Sequence, residues 1–239
     1  LPDAPTAGLS TVAIRMPSHA VARSLISTAD LPIAAPSANL AGRPSPTSAD
    51  HVVRDLHGKI ELILDGGPIA YGVESTVVDF TSRIPVVLRP GPITVEELRR
   101  ELGEVEIHPV VSGEGAEEVI ARSPGMKYRH YAPKAELVVV EGAPNLIRKK
   151  IQEIVDERKK IGDKVGVVVT SENAHAYQAD VVKVIGERRD PRGIAKNLFK
   201  MLRELDADGV DFAVVEGIEP IGIGLAVMNR LRKAAGNNI

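Results

Sequence analysis

The chain has 239 residues, 44% hydrophobic and 26% charged, with a formal charge of −2. That balance fits one large or two ordinary globular domains and argues against a generally basic nucleic-acid surface. The absence of cysteine excludes disulfides and thiolate metal sites, and no apolar run is long enough for a membrane helix.

In chain order, Ser10 to Arg15 alternates polar and apolar residues and predicts a strand. Pro17-Ser18 opens a helix with Ser18 as N-cap, and Leu31 to Ala35 is a short apolar strand running into Pro36-Ser37-Ala38-Asn39. Gly42, Pro44 and Pro46 make the next stretch irregular, after which Thr47 or Ser48 caps a helix to about Leu56. Ile60 to Leu64 predicts a buried strand, ended by the turn Asp65-Gly66-Gly67-Pro68. Glu74 to Phe80 and Pro85 to Arg89 predict paired strands, and Thr94-x-x-Glu97 is a capping box for a helix to Leu102. Gly103 to Arg122 has no clear period and is expected to be a surface excursion.

The second half is more regular. Strands are predicted at Glu136 to Val140, Val165 to Thr170, Asp180 to Ile185 and Phe212 to Glu216. They alternate with helices at Pro144 to Lys160, Pro191 to Leu205 and Gly222 to Arg232, the pattern of a parallel, Rossmann-like sheet. Between the halves lies Ser123-Pro124-Gly125-Met126-Lys127-Tyr128-Arg129-His130-Tyr131-Ala132-Pro133. It holds two of the four tyrosines and two cations, more chemistry than a passive connector needs.

The first half places hydroxyls and cations at expected strand ends: Thr11 and Arg15, Ser37, Ser45, Ser75 and Arg89. Each alone reads as a turn or surface residue. Together they suit a polyanion, because hydroxyls give short hydrogen bonds to phosphate and arginine adds charge in a planar fork. There is no close His pair, nucleophile elbow or Walker loop, and Asp65 and Glu74 read as candidates for magnesium or turn stabilisation. Hydroxyls and arginines without an evident base suit phosphoryl or nucleotidyl chemistry, where positioning and charge stabilisation supply most of the rate.

Five segments in order carry a resemblance: Ser10-Thr11-Val12-Ala13-Ile14-Arg15, Ala35-Pro36-Ser37-Ala38-Asn39, Gly72-Val73-Glu74-Ser75-Thr76-Val77-Val78-Asp79, Leu88-Arg89-Pro90-Gly91 and Ser123 to Pro133. The chain resembles the two-domain threonylcarbamoyl-AMP synthase family, a YrdC-like α/β domain followed by a Rossmann-like domain. The resemblance implies residues 1–122 as the C-terminal portion of the first, 123–133 as linker and lid, and 134–239 as the second.

It implies a nucleotidyltransferase that condenses L-threonine, bicarbonate and ATP, with Mg2+, to threonylcarbamoyl-adenylate and pyrophosphate in the cytoplasm. Downstream tRNA threonylcarbamoyl-transfer machinery would take the product. By similarity Arg15, Ser75 and the backbone near Ala35 hold threonine. Thr11, Ser37, Ser45, Arg89 and Tyr128 contact ATP, and Tyr131 assists the lid. Family members open with a further half-domain holding a Pro-Thr-Glu-Thr-x-Tyr-Gly-Leu stretch and a Lys/Arg-rich motif. Neither occurs in this sequence, so the opening half of the YrdC-like domain is expected to be missing. The competing reading is an RNA-binding module without catalysis, whose affinity for tRNA would depend on salt and not on ATP or threonine.

Overall fold

Strands in the second block form because their sequences are runs of Val, Ile, Leu and Phe that can be buried on both faces of a sheet. The computed structural model of the chain describes residues 6, 8–112 and 131–236. The sheet is wholly parallel, in the order β4-β7-β5-β6, from β4 (Glu136–Val140), β5 (Val165–Thr170), β6 (Val181–Gly186) and β7 (Phe212–Glu216). The two central strands, β5 and β7, are buried at every position, whereas the edge strand β6 is mostly half-buried.

Alternation along the strands sorts side chains to two layers. On one face Val165, Val167 and Val169 meet α5 (Pro144–Lys160), which buries Ile147, Ile151 and Val155 at helical spacing. On the other face Val168, Leu137 and Val139 meet α6 (Pro191–Ala207) and α7 (Ile223–Ala234). Pro144 and Pro191 both sit in the first turn, where the missing N–H costs nothing. Asp190 caps α6 by accepting from the Gly193 N–H at 3.0 Å.

The first block is smaller and less regular. It contains α1 (Ala20–Ala29), α2 (Ala49–Leu56), β1 (Val77–Asp79), β2 (Val86–Arg89), α3 (Val95–Leu102), β3 (Glu106–Ile107) and the single turn α4 (Pro109–Ser112). β1 and β2 pair, as expected, in the antiparallel sense, and β3 joins β2 in parallel. The capping box of α3 is formed at both ends, with Thr94 Oγ1 accepting from the Glu97 N–H and Glu97 accepting from the Thr94 N–H.

Three expected strands do not form. Ser10 to Arg15, Leu31 to Ala35 and Ile60 to Leu64 are irregular, with Ile14 89% exposed and Leu62 72%. Their alternation favours extended backbone, but a strand also needs a neighbour to satisfy its N–H and C=O groups, and none pairs with them among the described residues. The cap of α1 also differs: His19, not Ser18, occupies the N-cap position. Gly103 to Ser112 is not a plain excursion either, since it supplies β3 and α4 and buries Val105, Val110 and Val111. The remainder of that excursion, 113–122, and the connector as far as His130 lie outside the described residues.

The two blocks share an interior. Val73 and Tyr131 belong to the same buried cluster as Phe199 of α6 and Val227 of α7. Leu225 of α7 packs on the small first-block core of Val87, Val95 and Val105. Gly72, at φ +74°, lies so close to α6 that a Cβ on it would stand 2.2 Å from the Ala195 carbonyl oxygen. Arg203 of α6 donates to Pro44 O at 2.6 Å and to the fully buried carboxylate of Asp55 at 2.8 Å, which also accepts from Arg43 at 2.7 Å. Burial works against ionising Asp55, but the hydrogen bonds from Arg203 and Arg43 outweigh it and hold the carboxyl below its usual range.

Candidate functional site

The centre of the site is Glu74, which the sequence pattern offered only as a magnesium or turn residue. It stands just before β1, where the chain turns out of the contact with α6. One carboxylate oxygen accepts from the buried Ser45 hydroxyl at 2.8 Å. The other accepts from the Nε of Arg230, on α7, at 3.0 Å. Burial disfavours the charged form, yet the Arg230 charge, the Ser45 hydroxyl and the Arg89 charge together hold Glu74 below the usual carboxylate range.

Ser75 follows directly, and its carbonyl accepts from Arg89 Nε, at the end of β2, at 3.1 Å. The β1 entry and the β2 exit are therefore joined side by side. Their backbones touch: a Cβ on Gly91 would lie 2.4 Å from Thr76 N and 2.5 Å from Glu74 O, so this crossing needs glycine. Thr76 Oγ1 donates to Ile93 O at 2.6 Å and closes the second loop onto the first.

Arg230 is fully buried. Besides Glu74 Oε2 it donates to Pro90 O at 2.6 Å, to Asn229 Oδ1 at 3.3 Å and to Glu74 O at 3.4 Å. Asn229 in turn donates to Val111 O of the first block at 3.1 Å. Lys233, one turn on, is held at about 8 by burial and by the like charges of Arg230 and Arg89, with Glu74 pulling the other way. Arg89 is also shifted down, by burial first and then by Arg230, with Arg15 among the nearby charges. Two arginines, Arg230 and Arg89, and Lys233 thus share a single carboxylate, a surplus of positive charge around a half-buried centre. Such a centre favours an anion of more than one charge.

Tyr131 completes the cluster. Its side chain is 5% exposed, its ring centroid is 5.1 Å from that of Phe199, and its backbone is at φ +67°. Burial, and then the proximity of Glu74, push its hydroxyl up. Tyr131 is thus anchored between the two blocks at the start of the second.

Of the expected site residues, the fold brings Ser45, Ser75, Arg89 and Tyr131 together, with Arg15 in electrostatic reach of Arg89. Thr11, Ala35 and Ser37 are exposed in irregular segments, and the Ser37 carbonyl accepts from the Asn39 N–H at 3.0 Å. Tyr128 lies outside the described residues. Asp65 stabilises its turn by accepting from the Gly67 N–H at 2.8 Å. Glu74 has both oxygens engaged, and no cluster of three His, Cys, Asp or Glu able to hold a metal occurs among the described residues. A protein-built magnesium site does not fit this set.

The sequence reading missed Glu74 as the hub and missed Arg230, Asn229 and Lys233 altogether. One signal was available for Arg230: it shares a helical face with Ala226 and Ala234, an apolar row that an exposed arginine would not occupy.

Residues 93–236 match the family described as threonylcarbamoyl-AMP synthase, C-terminal domain, and residues 1–91 match the family described as telomere recombination. Because the latter match begins at residue 1, it lends no support to the expectation that the opening half of the first domain is absent. Threonylcarbamoyl-AMP synthase of Pyrococcus abyssi is 52% identical over 239 residues, spanning all of this chain and 68% of its own length. The Bacillus subtilis enzyme of the same name is 48% identical over 234 residues, spanning 98% of this chain and 66% of its own length. The chain thus spans about two thirds of the length of these curated relatives. Among solved structures, P. abyssi Sua5 complexed with L-threonine superposes with a TM-score of 0.91 at 51% identity, covering all of this chain and 68% of that one.

Proposed function

The chain belongs to the threonylcarbamoyl-AMP synthase family, and from that premise we propose that it takes part in condensing L-threonine, bicarbonate and ATP to threonylcarbamoyl-adenylate, with release of pyrophosphate and water. The observation that carries the reading is the convergence of Ser45, Ser75 and Arg89 on one half-buried, electropositive centre at the ends of β1 and β2.

In this reading Arg15 forks onto the threonine carboxylate, with Ser75 and the backbone at Ala35 orienting the amino acid. Arg89, Ser45, Ser37 and Thr11 take the nucleotide, and Tyr128 closes over it from the 123–133 connector, with Tyr131 as the anchor at its far end. Mg2+ enters as part of the ATP complex and draws no ligand from Glu74 or Asp65. Residues 1–122 act as the catalytic portion and 134–239 as the companion domain. The work is cytoplasmic, and the adenylate passes to tRNA-modifying enzymes downstream. Arginine and lysine charge at the centre opposes the charge that gathers on the α-phosphate as pyrophosphate leaves.

Calorimetry with ATP and with L-threonine, and chromatography for an adenylate formed only when bicarbonate is present, test the proposal. Binding of neither ligand would remove the assignment, and salt-dependent tRNA affinity indifferent to both would favour the RNA-binding alternative.

A further inference from the structure

The last helix reaches into the candidate site of the other block through one side chain. Arg230 is completely buried, an arrangement that is costly unless every donor is engaged. Its first-block acceptors are the side chain and carbonyl of Glu74 and the carbonyl of Pro90. Glu74 immediately precedes Ser75, and Pro90 immediately follows Arg89. The guanidinium therefore grips both strand-end loops at the residues adjoining the two side chains assigned to substrate.

Local ties already join those loops, Arg89 to the Ser75 carbonyl and Thr76 to the Ile93 carbonyl, but the strands they extend are short. β1 is three residues long, β2 four, and their pairing slips in register between Val77 and Val78. The third strand, β3, adds only two residues on the far side of β2, so the ends of so small a sheet take their geometry from what packs on them. Arg230 reaches both at once from the other block. Its own backbone is fixed by α7, whose neighbours Val227, Met228 and Leu231 are buried in the second-block core. Asn229, bonded to Val111, fixes the helix against the first block from the other side.

We propose that Arg230 is a positioning residue: it holds Ser75 and Arg89 at their working separation through Glu74 and Pro90, so that the companion domain completes the substrate site of the first. The inference rests on the assignment of Ser75 and Arg89 to substrate binding. It makes a lysine at 230 inadequate, because one ammonium cannot span a carboxylate oxygen and two separate carbonyls as the planar fork does.

The test uses the full chain with Arg230→Lys and Arg230→Met, and with Arg158→Met as a control, since Arg158 pairs with Glu136 and Asp163 away from the site. Hydrogen exchange by mass spectrometry is followed in peptides spanning Glu74 to Val77 and Arg89 to Ile93, alongside β5 and β7. ATP and threonine affinities are measured by calorimetry at a temperature where each variant is folded. Positioning predicts that exchange at the two loops rises about tenfold or more while β5 and β7 stay protected, and that affinity for either ligand falls about tenfold to a hundredfold, the range for losing charge-assisted bonds. Arg230→Lys should not rescue, and Arg158→Met should change neither readout.

A lower melting temperature with loop exchange and both affinities unchanged would make Arg230 a fold tie only and overturn the proposal. Faster loop exchange with unchanged affinities would overturn it equally. If the unmodified chain binds neither ligand, the functional assignment fails by itself, and the exchange arm still decides whether Arg230 orders the loops. If Arg230→Met does not fold, Arg230→Lys, which keeps the charge, carries both readouts.

Discussion

Gly72→Ala is the most direct perturbation of the contact between the two blocks. An alanine there must hold φ at +74°, a left-handed conformation that costs a residue with a Cβ about 1–2 kcal/mol. Its Cβ would also lie 2.2 Å from Ala195 O and 2.3 Å from Lys196 Cα. That is more than about 1 Å inside a normal contact, and both opposing atoms are helix backbone that cannot rotate away. Relief requires the 72–74 segment to lift off α6 and part of the Val73 burial to be lost, an overpacking cost of about 1–3 kcal/mol.

The two effects add to about 2–5 kcal/mol, or a fall of roughly 4–20 °C in melting temperature for a chain of this size. Urea denaturation followed by circular dichroism reads the loss directly. The same displacement moves Glu74, so ATP affinity should drop in the fraction that remains folded. A loss below about 0.5 kcal/mol, the scale of an ordinary surface substitution, would show that the segment does not sit against α6 as described and would refute the shared-interior reasoning.

Three further outcomes are expected. Asp55→Asn leaves Arg203 and Arg43 facing a neutral amide at a fully buried position, and should cost about 2–4 kcal/mol by denaturant titration, with part recovered in Asp55→Asn/Arg203→Met. Glu74 has a folded pKa below its unfolded one, so its stabilisation is complete above the ordinary carboxylate range and is lost as pH falls through the lowered value. The urea midpoint of Glu74→Gln should accordingly fall less steeply between pH 6 and pH 3, both pH values being set around that range at about 4. Lys233, at about 8, should gain protonation when phosphate charge arrives beside it, giving proton uptake on ATP binding near pH 8 and weaker binding as pH rises further. Calorimetry in buffers of different ionisation enthalpy reads this, and Lys233→Met should abolish it.

Within the proposed substrate set, Arg89→Ala should weaken ATP binding by about 1.5–3 kcal/mol, and Arg15→Lys should not restore full threonine affinity because it loses the planar fork. Unchanged affinity by calorimetry in either variant would remove that arginine from the set.

The sequence alone determined the second block almost to the residue. Glu136–Val140, Val165–Thr170 and Phe212–Glu216 are strands because β-branched and aromatic runs of that length have little alternative once buried, and Pro144 and Pro191 mark where the helices start. It also marked Ser45, Ser75 and Arg89 by their place at strand ends, and the capping box of α3 by local spacing.

Tertiary structure alone decided the rest. Alternation at Ser10 to Arg15 and Ile60 to Leu64 states a preference for extended backbone, but a strand exists only when another strand completes its hydrogen bonds, and that is not a local property. Glu74 looked like a turn or metal residue until Ser45 and Arg230 arrived on either side of it. Arg230 stands 156 residues away along the chain, on a helix where an arginine normally marks a solvated surface. Its burial is intelligible only after the two blocks have met, because the acceptors that offset its desolvation, Glu74 and the Pro90 carbonyl, belong to the other block.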